Sequence, residues 1–395
     1  MEAPMFTQST NINEIVSQIK ALPRAAEDIV MILIGEATDI EIPELIAALN
    51  EEQITFMGGF FPGVIFRNNR YDAGIAVDVY PSLAAPILIK DLNNLDFSIN
   101  PLTKLKEVLP VGDDVQPTLL VFVDAFTTHI QVLLSRTFQI FRNRVSYIGS
   151  GAGSGSFQQK PSIFDNSGVH QDAAVIGLLN IGSKIGVRHG WRDLRGPFLA
   201  NRTNRTIVQQ LGYKPAFEQY SKVLKLITGI TLTKENFFEV AKSYPLGINQ
   251  DGFDRIVRMP VDFTDDGGIV CVGEVPTNAL VSILQGDPTN LVTYAQYATQ
   301  DVLKGEKPLE HCLIVDCFGR VLYLQDQFKL ELDTILEAIP DGSNDPIGLL
   351  SLGEIGSFAT GNVELFNATI VVSGMSKQTD YGLTDNEGQL IARAK

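Results

Sequence analysis

The chain is short of cysteine, tryptophan and positive charge. Its 395 residues include three cysteines and one tryptophan. Cys271, Cys312 and Cys317 all lie in the second half and are too few for a disulfide framework, which fits a reducing compartment. Lysine and arginine total 31 against 46 acidic residues, a net charge of −15. That balance argues against general binding to nucleic-acid phosphates or anionic lipid, which need a basic surface. No apolar run reaches the ~18 residues of a membrane helix. The opening "MEAPMFTQSTNINEIVSQIKALP" lacks the basic start and apolar stretch of a signal peptide. The expectation is a soluble cytoplasmic protein, with no nucleic-acid partner and no membrane insertion.

What the chain does have is enough apolar residue (45%) for a large core, and a length that predicts two domains. One pattern occurs three times. "DIVMILIGEA" (28–37) is a buried strand, "PELIAALNEE" (43–52) a helix with Pro43 in its first turn, "ITFMGGFFPG" (54–63) a strand ending in glycines, and "DAGIAVDVY" (72–80) a closing strand. "TLLVFVDAF" (118–126), "THIQVLLSRTFQIF" (128–141), "VSYIGSGAGSGS" (145–156) and "DAAVIGLLN" (172–180) repeat the order, with Asp72-Ala73 matched to Asp172-Ala173. "HCLIVDCFGRVLYL" (311–324), the helix "FKLELDTILEAI" (328–339), "PIGLLSLGEIG" (346–356) and "NATIVVSG" (367–374) form the third copy. This repetition predicts an α+β fold of duplicated mixed α/β layers, strand-helix-strand-strand units in two associated domains.

A different stretch separates the second and third copies. "KIGVRHGW" and "NRTIVQQLG" are expected strands, "PAFEQYSKVLKLIT" a helix, and "DRIVRMPVDF" with "GGIVCVGEV" a hairpin around the turn "DDGG". The expected organisation is a lead helix in 1–27, one domain over 28–213, a second over 214–376, and a polar, mobile tail over 377–395.

Several motifs fail on inspection. "GSGAGSGS" lacks the GxGxxG spacing and runs into "FQQKPSIFDNSG" rather than a helix, so no dinucleotide site is expected. It is either a hairpin rim or a source of backbone N–H groups for a pocket. "GLLNIGSK" reverses the Lys-Ser order of a phosphate-binding loop. Cys312 and Cys317 are five apart, which on a strand sends them to opposite faces, so no metal is expected there, and no cofactor anywhere. Cys317 is either a core thiol or, with His189 or His311 as base, the nucleophile of an enzyme. No spacing assembles a Ser-His-Asp triad.

The lone tryptophan stands in "HGWRDLRGP" (189–197), at the head of a basic cluster of Arg188, Arg192, Arg195, Arg202 and Arg205 with one acid, Asp193. Guanidinium forks bind carboxylates and phosphates, and an indole face stacks on cations or rings. The cluster is either an anion clamp beside Trp191 or a set of surface ion pairs with Trp191 packed as a wedge.

In order, the chain carries "RVSYIGSGAGSG", "HGWRDLRGP", "IVQQLGYKPAFEQY", "YPLGINQDGFDRIVRMP", "DCFGR" and "LGEIG…LFNATIVV". This series, over about 28–373, resembles the FIST family, named for F-box and intracellular signal transduction proteins. The resemblance implies an N-terminal and a C-terminal FIST domain. It also implies a sensory module of bacterial signalling that binds a small ligand such as an amino acid. Fused output modules are common in the family. None is expected here, which would make this member free-standing and dependent on a separate signalling output protein. "MGGFFPG" departs from the family's frequent "CSTxGE", and Ser154 stands where "GGxAGD" has its acid.

The expected function is thus a ligand-binding sensor. Its site is expected between the two domains and lined by Trp191, Arg195, Tyr244, Arg258, Arg320 and Glu354, because an α-amino acid needs a cation for its carboxylate and an acid for its ammonium. A ligand-independent interaction scaffold is the first alternative, and a cysteine-dependent enzyme the second.

Overall fold

The computed structural model describes residues 4–110, 116–250, 253–303, 308–357 and 363–376. The tail 377–395, expected to be mobile, lies outside the described residues. The first unit runs β1 (Met5–Thr7), α1 (Ile12–Lys20), β2 (Ile29–Gly35), α2 (Ile42–Glu51), β3 (Phe56–Phe61), the hairpin β4 (Val64–Phe66) and β5 (Asn69–Tyr71), and β6 (Ile75–Tyr80). The second unit repeats the plan with β7 (Ile87–Ile89), α3 (Asn100–Glu107), β8 (Thr118–Asp124), α4 (Ile130–Phe141), β9 (Ser146–Ala152), the hairpin β10 (Ile163–Asp165) and β11 (Gly168–His170), and β12 (Ala174–Leu179).

The third unit begins with β13 (Gly182–Arg188) and is then interrupted. The insertion comprises β14 (Arg192–Leu199), β15 (Arg202–Asn204), β16 (Ile207–Leu211), β17 (Lys214–Pro215), α5 (Ala216–Thr228), α6 (Phe237–Ala241), β18 (Leu246–Gln250), β19 (Phe253–Arg258), β20 (Pro260–Phe263), β21 (Ile269–Cys271) and β22 (Leu280–Gln285). The unit resumes with α7 (Pro288–Val302), β23 (His311–Cys317), α8 (Phe318–Leu324), α9 (Phe328–Ala338), β24 (Ile347–Ser351), the hairpin β25 (Glu354–Ser357) and β26 (Val363–Phe366), and β27 (Ile370–Ser376). The expected α+β class with its repeated units is what the structure contains.

At the centre of each unit lies a parallel pair, β2/β3, β8/β9 or β23/β24. An antiparallel strand closes each pair on one side: β6, β12 or β27. The hairpin that follows each glycine-rich strand leaves its own sheet. β4–β5 joins β24, β10–β11 joins β3, and β25–β26 joins β9. The exchange is cyclic, and it completes three six-stranded sheets of identical plan.

The central strands "IVMILIG", "TLLVFVD" and "HCLIVDC" are buried along their whole length, as strands covered on both faces must be. Their outward side chains meet the unit's own helices. Val30, Ile32 and Ile34 pack with Ile15, Ile19, Leu45 and Leu49, and Cys312 and Ile314 pack with Leu291, Leu332 and Ile335. Their inward side chains share one core that contains Met31, Leu33, Leu120, Phe122, Leu313 and Val315. Each such buried side chain contributes roughly 1.5–3 kcal/mol.

Three glycines occupy one equivalent place. Gly58, Gly149 and Gly348 lie opposite Ile32, Val121 and Ile314 in the parallel pairs. A Cβ there would stand 2.2, 2.0 and 2.3 Å from the carbonyl oxygens of those residues. The glycines permit the close backbone approach at the middle of each pair.

Four expectations need correction. "HCLIVDCFGRVLYL" is a strand only to Cys317. From Phe318 the chain is helical, with Arg320, Val321 and Leu324 on the buried side of α8. "PIGLLSLGEIG" divides at Leu352-Gly353, where Gly353 has φ 144°, into β24 and β25 in different sheets. "KIGVRHGW" belongs to the third unit, since β13 pairs with β27. Finally, Val77 and Ile176 lie opposite the equivalent Ile32 and Val121, so Asp172 matches Ala73 rather than Asp72.

Replacement of Gly149 by Ala is expected to destabilise the protein by ~3 kcal/mol or more, because the clash is with backbone. Gly319→Ala is expected to stay within about 1 kcal/mol; its Cβ would meet only Cys317 Sγ at 3.4 Å and Met259 Cε at 3.7 Å. Denaturant unfolding of the two variants tests the difference.

Candidate functional site

The insertion covers the carboxyl ends of β8 and β23, where ligands of open α/β sheets bind. Between cap and units lies a cavity of about 790 Å³. The second unit lines it with Ala125–Thr128, Ile130, Gln131 and Phe157, and the cap with Asn204–Ile207, Phe238, Met259, Val261 and Cys271–Glu274. The third unit supplies Cys317–Gly319, Ser351, Leu352, Leu365 and Asn367. Most of this surface is apolar. Its polar side chains are Cys317, Ser351 and Asn367 on a floor, Arg205 and Glu274 at a mouth with Asn204 and Thr206 beside them, and Thr127, Thr128 and Gln131 on the second unit.

The floor is where the third unit departs from the other two. Cys317 occupies the place of Asp124 in the second unit. Asp124 Oδ2 accepts from the Asp172 N–H at 2.8 Å and Oδ1 from the Phe126 N–H at 3.0 Å. Cys317 Sγ accepts from the equivalent Ala368 N–H at 3.1 Å, and from the Gly319 N–H. Ser351 stands where the other units have Phe61 and Ala152. Glu354 lies opposite Ser150, and the equivalent hairpin positions hold Val64 and Ile163. Ser351 and Glu354 are fully buried, and Cys317 is buried but for the face it turns to the cavity.

This carboxyl in an aliphatic position is held in its neutral form. Burial pushes Glu354 up to about 8, against the opposing effect of the Thr369 N–H and of hydrogen bonds from Cys317 and Ser351. Burial, and then the Glu354 charge, push the Cys317 thiol well above its usual range. Asn367 is 2% exposed, and its Oδ1 meets no donor among the described residues.

The six residues expected to line one site do not do so. Five mark the joints of the insertion or its surface. Trp191 stands where the chain leaves β13 for the insertion. Its indole N–H donates to the Ala368 carbonyl at 2.8 Å, and its ring lies 5.1 Å from that of Tyr323. Gly286, where the chain returns, leaves room for both rings: a Cβ there would be 2.6 Å from the indole and 2.5 Å from the phenol.

Arg320 clamps the same joint. Its guanidinium donates to the His189 carbonyl at 2.7 Å on the outgoing strand and to the Leu291 carbonyl at 3.1 Å on α7, and it pairs with Glu331 and Asp316. Burial opposes its charge, but the two carboxylates more than offset this and hold the guanidinium ionised. Arg258 ties the insertion to β26. It donates to the carbonyls of Glu274 at 2.8 Å and Leu365 at 2.9 Å and pairs with Glu364 at 3.3 Å. Tyr244 is half-buried, and its carbonyl accepts from the Tyr220 hydroxyl at 2.7 Å. Arg195 is exposed on β14. Glu354 lies behind the floor. The expected clamp is not assembled, because the two buried guanidiniums are already saturated by carbonyls and carboxylates.

The histidines do not attend the thiol. His311 is at the opposite end of β23 from Cys317, roughly 20 Å along the strand, with Nδ1 2.8 Å from Asp78. His189 Nδ1 accepts the Trp191 N–H at 2.9 Å. Burial pushes His189 down to about 4. Among the described residues no cluster of three or more His, Cys, Asp or Glu could hold a metal ion, and no helix is long and apolar enough to cross a membrane.

The residue most clearly missed at the mouth is Arg205, counted in the basic cluster but left out of the expected site. It sits at φ 55° in the two-residue turn between β15 and β16. Its Nε donates to Glu274 at 3.0 Å, and Nη2 also donates to the Thr128 carbonyl of the second unit. Its left-handed conformation has no signature in the sequence.

Residues 28–214 match the FIST N domain and residues 216–357 match the FIST C domain. The chain belongs to the FIST family. FIST domains are sensory domains of signal transduction. The change from one matched segment to the other falls within the insertion, at the start of α5. No curated protein matches the chain. A chain of the structure of PurLQS from Thermotoga maritima aligns at 10% identity over 88% of this FIST protein and 65% of its own length, with a TM-score of 0.17, too low to carry any conclusion. This chain thus spans less than two thirds of that one.

Two measurements check the electrostatics of the floor. Cys317 is expected to react with iodoacetamide at pH 7 far more slowly than an exposed cysteine, as followed by mass spectrometry, because it is buried and stays a neutral thiol. The second concerns Glu354, whose folded-state proton affinity exceeds that of the unfolded chain. Its contribution is complete below the ordinary carboxyl range near pH 4.5 and is lost as pH rises to about 8. Glu354→Gln, which stays neutral, is therefore expected to melt close to wild type at pH 4.5 and several degrees higher at pH 8.5–9.

Proposed function

We propose that this protein is a sensory FIST module that binds a small ligand in the capped cavity and passes its state to a separate protein. The observation that carries the proposal is that the cavity wall is assembled from the second unit, the insertion and the third unit together. A ligand there touches both family segments at once, so its binding energy acts on how the cap sits over the units. The ligand class starts from an amino acid or another small anion. Arg205 is the available cation, since Arg258 and Arg320 are committed within the protein. A reducing, cytoplasmic setting fits the three unpaired, buried cysteines.

A thermal-shift panel of amino acids and organic anions tests the proposal. At a hundredfold excess over Kd, a ligand adds about 2.7 kcal/mol of stability. Gly319→Met, which projects a side chain into the cavity without a backbone clash, is expected to keep the fold and abolish that shift. A partner bound equally by wild type and Gly319→Met, with no ligand shifting either, would instead establish a ligand-independent scaffold.

A further inference from the structure

We propose that Arg205 is the anion-binding residue of this cavity, and that the ligand is an amphipathic monocarboxylate whose apolar body is larger than that of a free amino acid. The proposal rests on the cavity being the ligand site. It adds which end of the ligand is charged and which side chain reads that charge.

Size and polarity come first. A space of about 790 Å³ falls in the range that encloses drug-sized molecules, well beyond what a free amino acid fills. Its depth is walled by Phe238, Met259, Val261, Val272, Phe318 and Leu352. Among the described lining residues, the charged side chains are Arg205 and Glu274, both at the mouth. An amino acid would need an ammonium and a carboxylate paired within the same small volume. The interior offers neither partner, and an unpaired ion there is strongly disfavoured. A molecule with one charge at its end and an apolar body behind it matches this distribution.

The second observation is how Arg205 is held. Its ion pair with Glu274 is at the surface, with side chains 39% and 36% exposed and N–O distances of 2.9 and 3.0 Å. Such pairs are worth little and exchange readily. A ligand carboxylate can take the place of Glu274 on the same guanidinium fork while Glu274 turns into water. The guanidiniums of Arg258 and Arg320 cannot make this exchange without leaving buried groups unpaired.

The third observation is the backbone. Arg205 occupies a left-handed position in a two-residue turn, where Gly or Asn is at home. An arginine kept there against that preference projects from the cap to the Thr128 carbonyl of the second unit, across the mouth.

Calorimetric titration of octanoate and octan-1-ol into the full-length protein, its Arg205→Ala and Arg205→Lys variants and Glu274→Gln tests the proposal. Wild type is expected to bind octanoate about tenfold or more tightly than octan-1-ol. Arg205→Ala should erase that preference by weakening octanoate alone, with octan-1-ol held within about twofold. Arg205→Lys should fall between, because it keeps charge without the fork. Glu274→Gln should tighten octanoate, since the competing carboxylate is gone. Unliganded melting temperatures show whether each variant folds. Equal binding of acid and alcohol, equal loss of both in Arg205→Ala, or no binding of octanoate would overturn the proposal. If acid and alcohol bind equally, octan-1-ol binding that Gly319→Met abolishes would leave the cavity standing as a site while the carboxylate assignment alone falls.

Discussion

Each parallel strand pair in this protein is followed by a hairpin that its own sheet does not use. Because β4–β5, β10–β11 and β25–β26 are passed on cyclically, each sheet borrows its edge from another unit. The third sheet needs residues 64–71, which lie more than two hundred residues upstream of β24. The loop-closure entropy of such pairings is met only by contacts that exist when all three units are in place. The exchange also turns the inward face of every sheet toward one core, in which Phe61, Phe122 and Ile148 meet Val315 and Leu349. The two matched family segments are therefore interleaved rather than set side by side.

The insertion rides on that frame through a few buried polar joints. Trp191 and Gly286 shape the point of departure and return. Arg320 holds both sides of that joint by the carbonyls of His189 and, on α7, Leu291, and Arg258 holds the far side to β26. A buried guanidinium satisfied in this way is weak as a source of net stability, yet removing one partner strands a charge. Its value lies in fixing position. Here that position is the height of the cap over the strand ends, and so the dimensions of the cavity.

The alternation of buried strand and amphipathic helix was legible because it is a local property, set by periods of two and 3.6 residues. β2, α2 and β3, and β8, α4 and β9, stand close to where the sequence puts them. The hairpin exchange was not legible, since Val64, Ile163 and Glu354 each stand in apolar-flanked segments whose partners lie a hundred or more residues away. The site residues were misread for a related reason. Chemistry alone made Trp191, Arg258 and Arg320 candidates, but a guanidinium's availability depends on which carbonyls surround it. Those carbonyls come from His189, Leu291, Glu274 and Leu365, between 16 and 131 residues away, and a backbone carbonyl is silent in the sequence. Arg205 carried no mark beyond membership of a basic cluster, because its backbone conformation and its contact with Thr128 are tertiary facts.

The near-equivalence of the three units separates residues the fold requires from residues it merely tolerates. Gly58, Gly149 and Gly348 recur because the strand pairing needs them. Glu354 does not recur. The same hairpin position accepts Val64 and Ile163, so the frame is satisfied by an aliphatic side chain, and a buried carboxyl is the less stable choice. The same holds for Ser351 beside Phe61 and Ala152, and for Cys317 in a cradle of N–H groups that elsewhere receives the Asp124 carboxylate. These three departures converge on one spot, with Cys317 and Ser351 on the cavity floor and Glu354 behind them, while the equivalent Asp124 of the second unit is hydrogen-bonded within its own unit. Local inconsistency with an otherwise repeated plan, concentrated at one accessible place, is how a fold accommodates a functional centre at the expense of stability. In this chain those departures stand beneath the insertion, on the third unit's share of a cavity wall that the second unit and the cap complete.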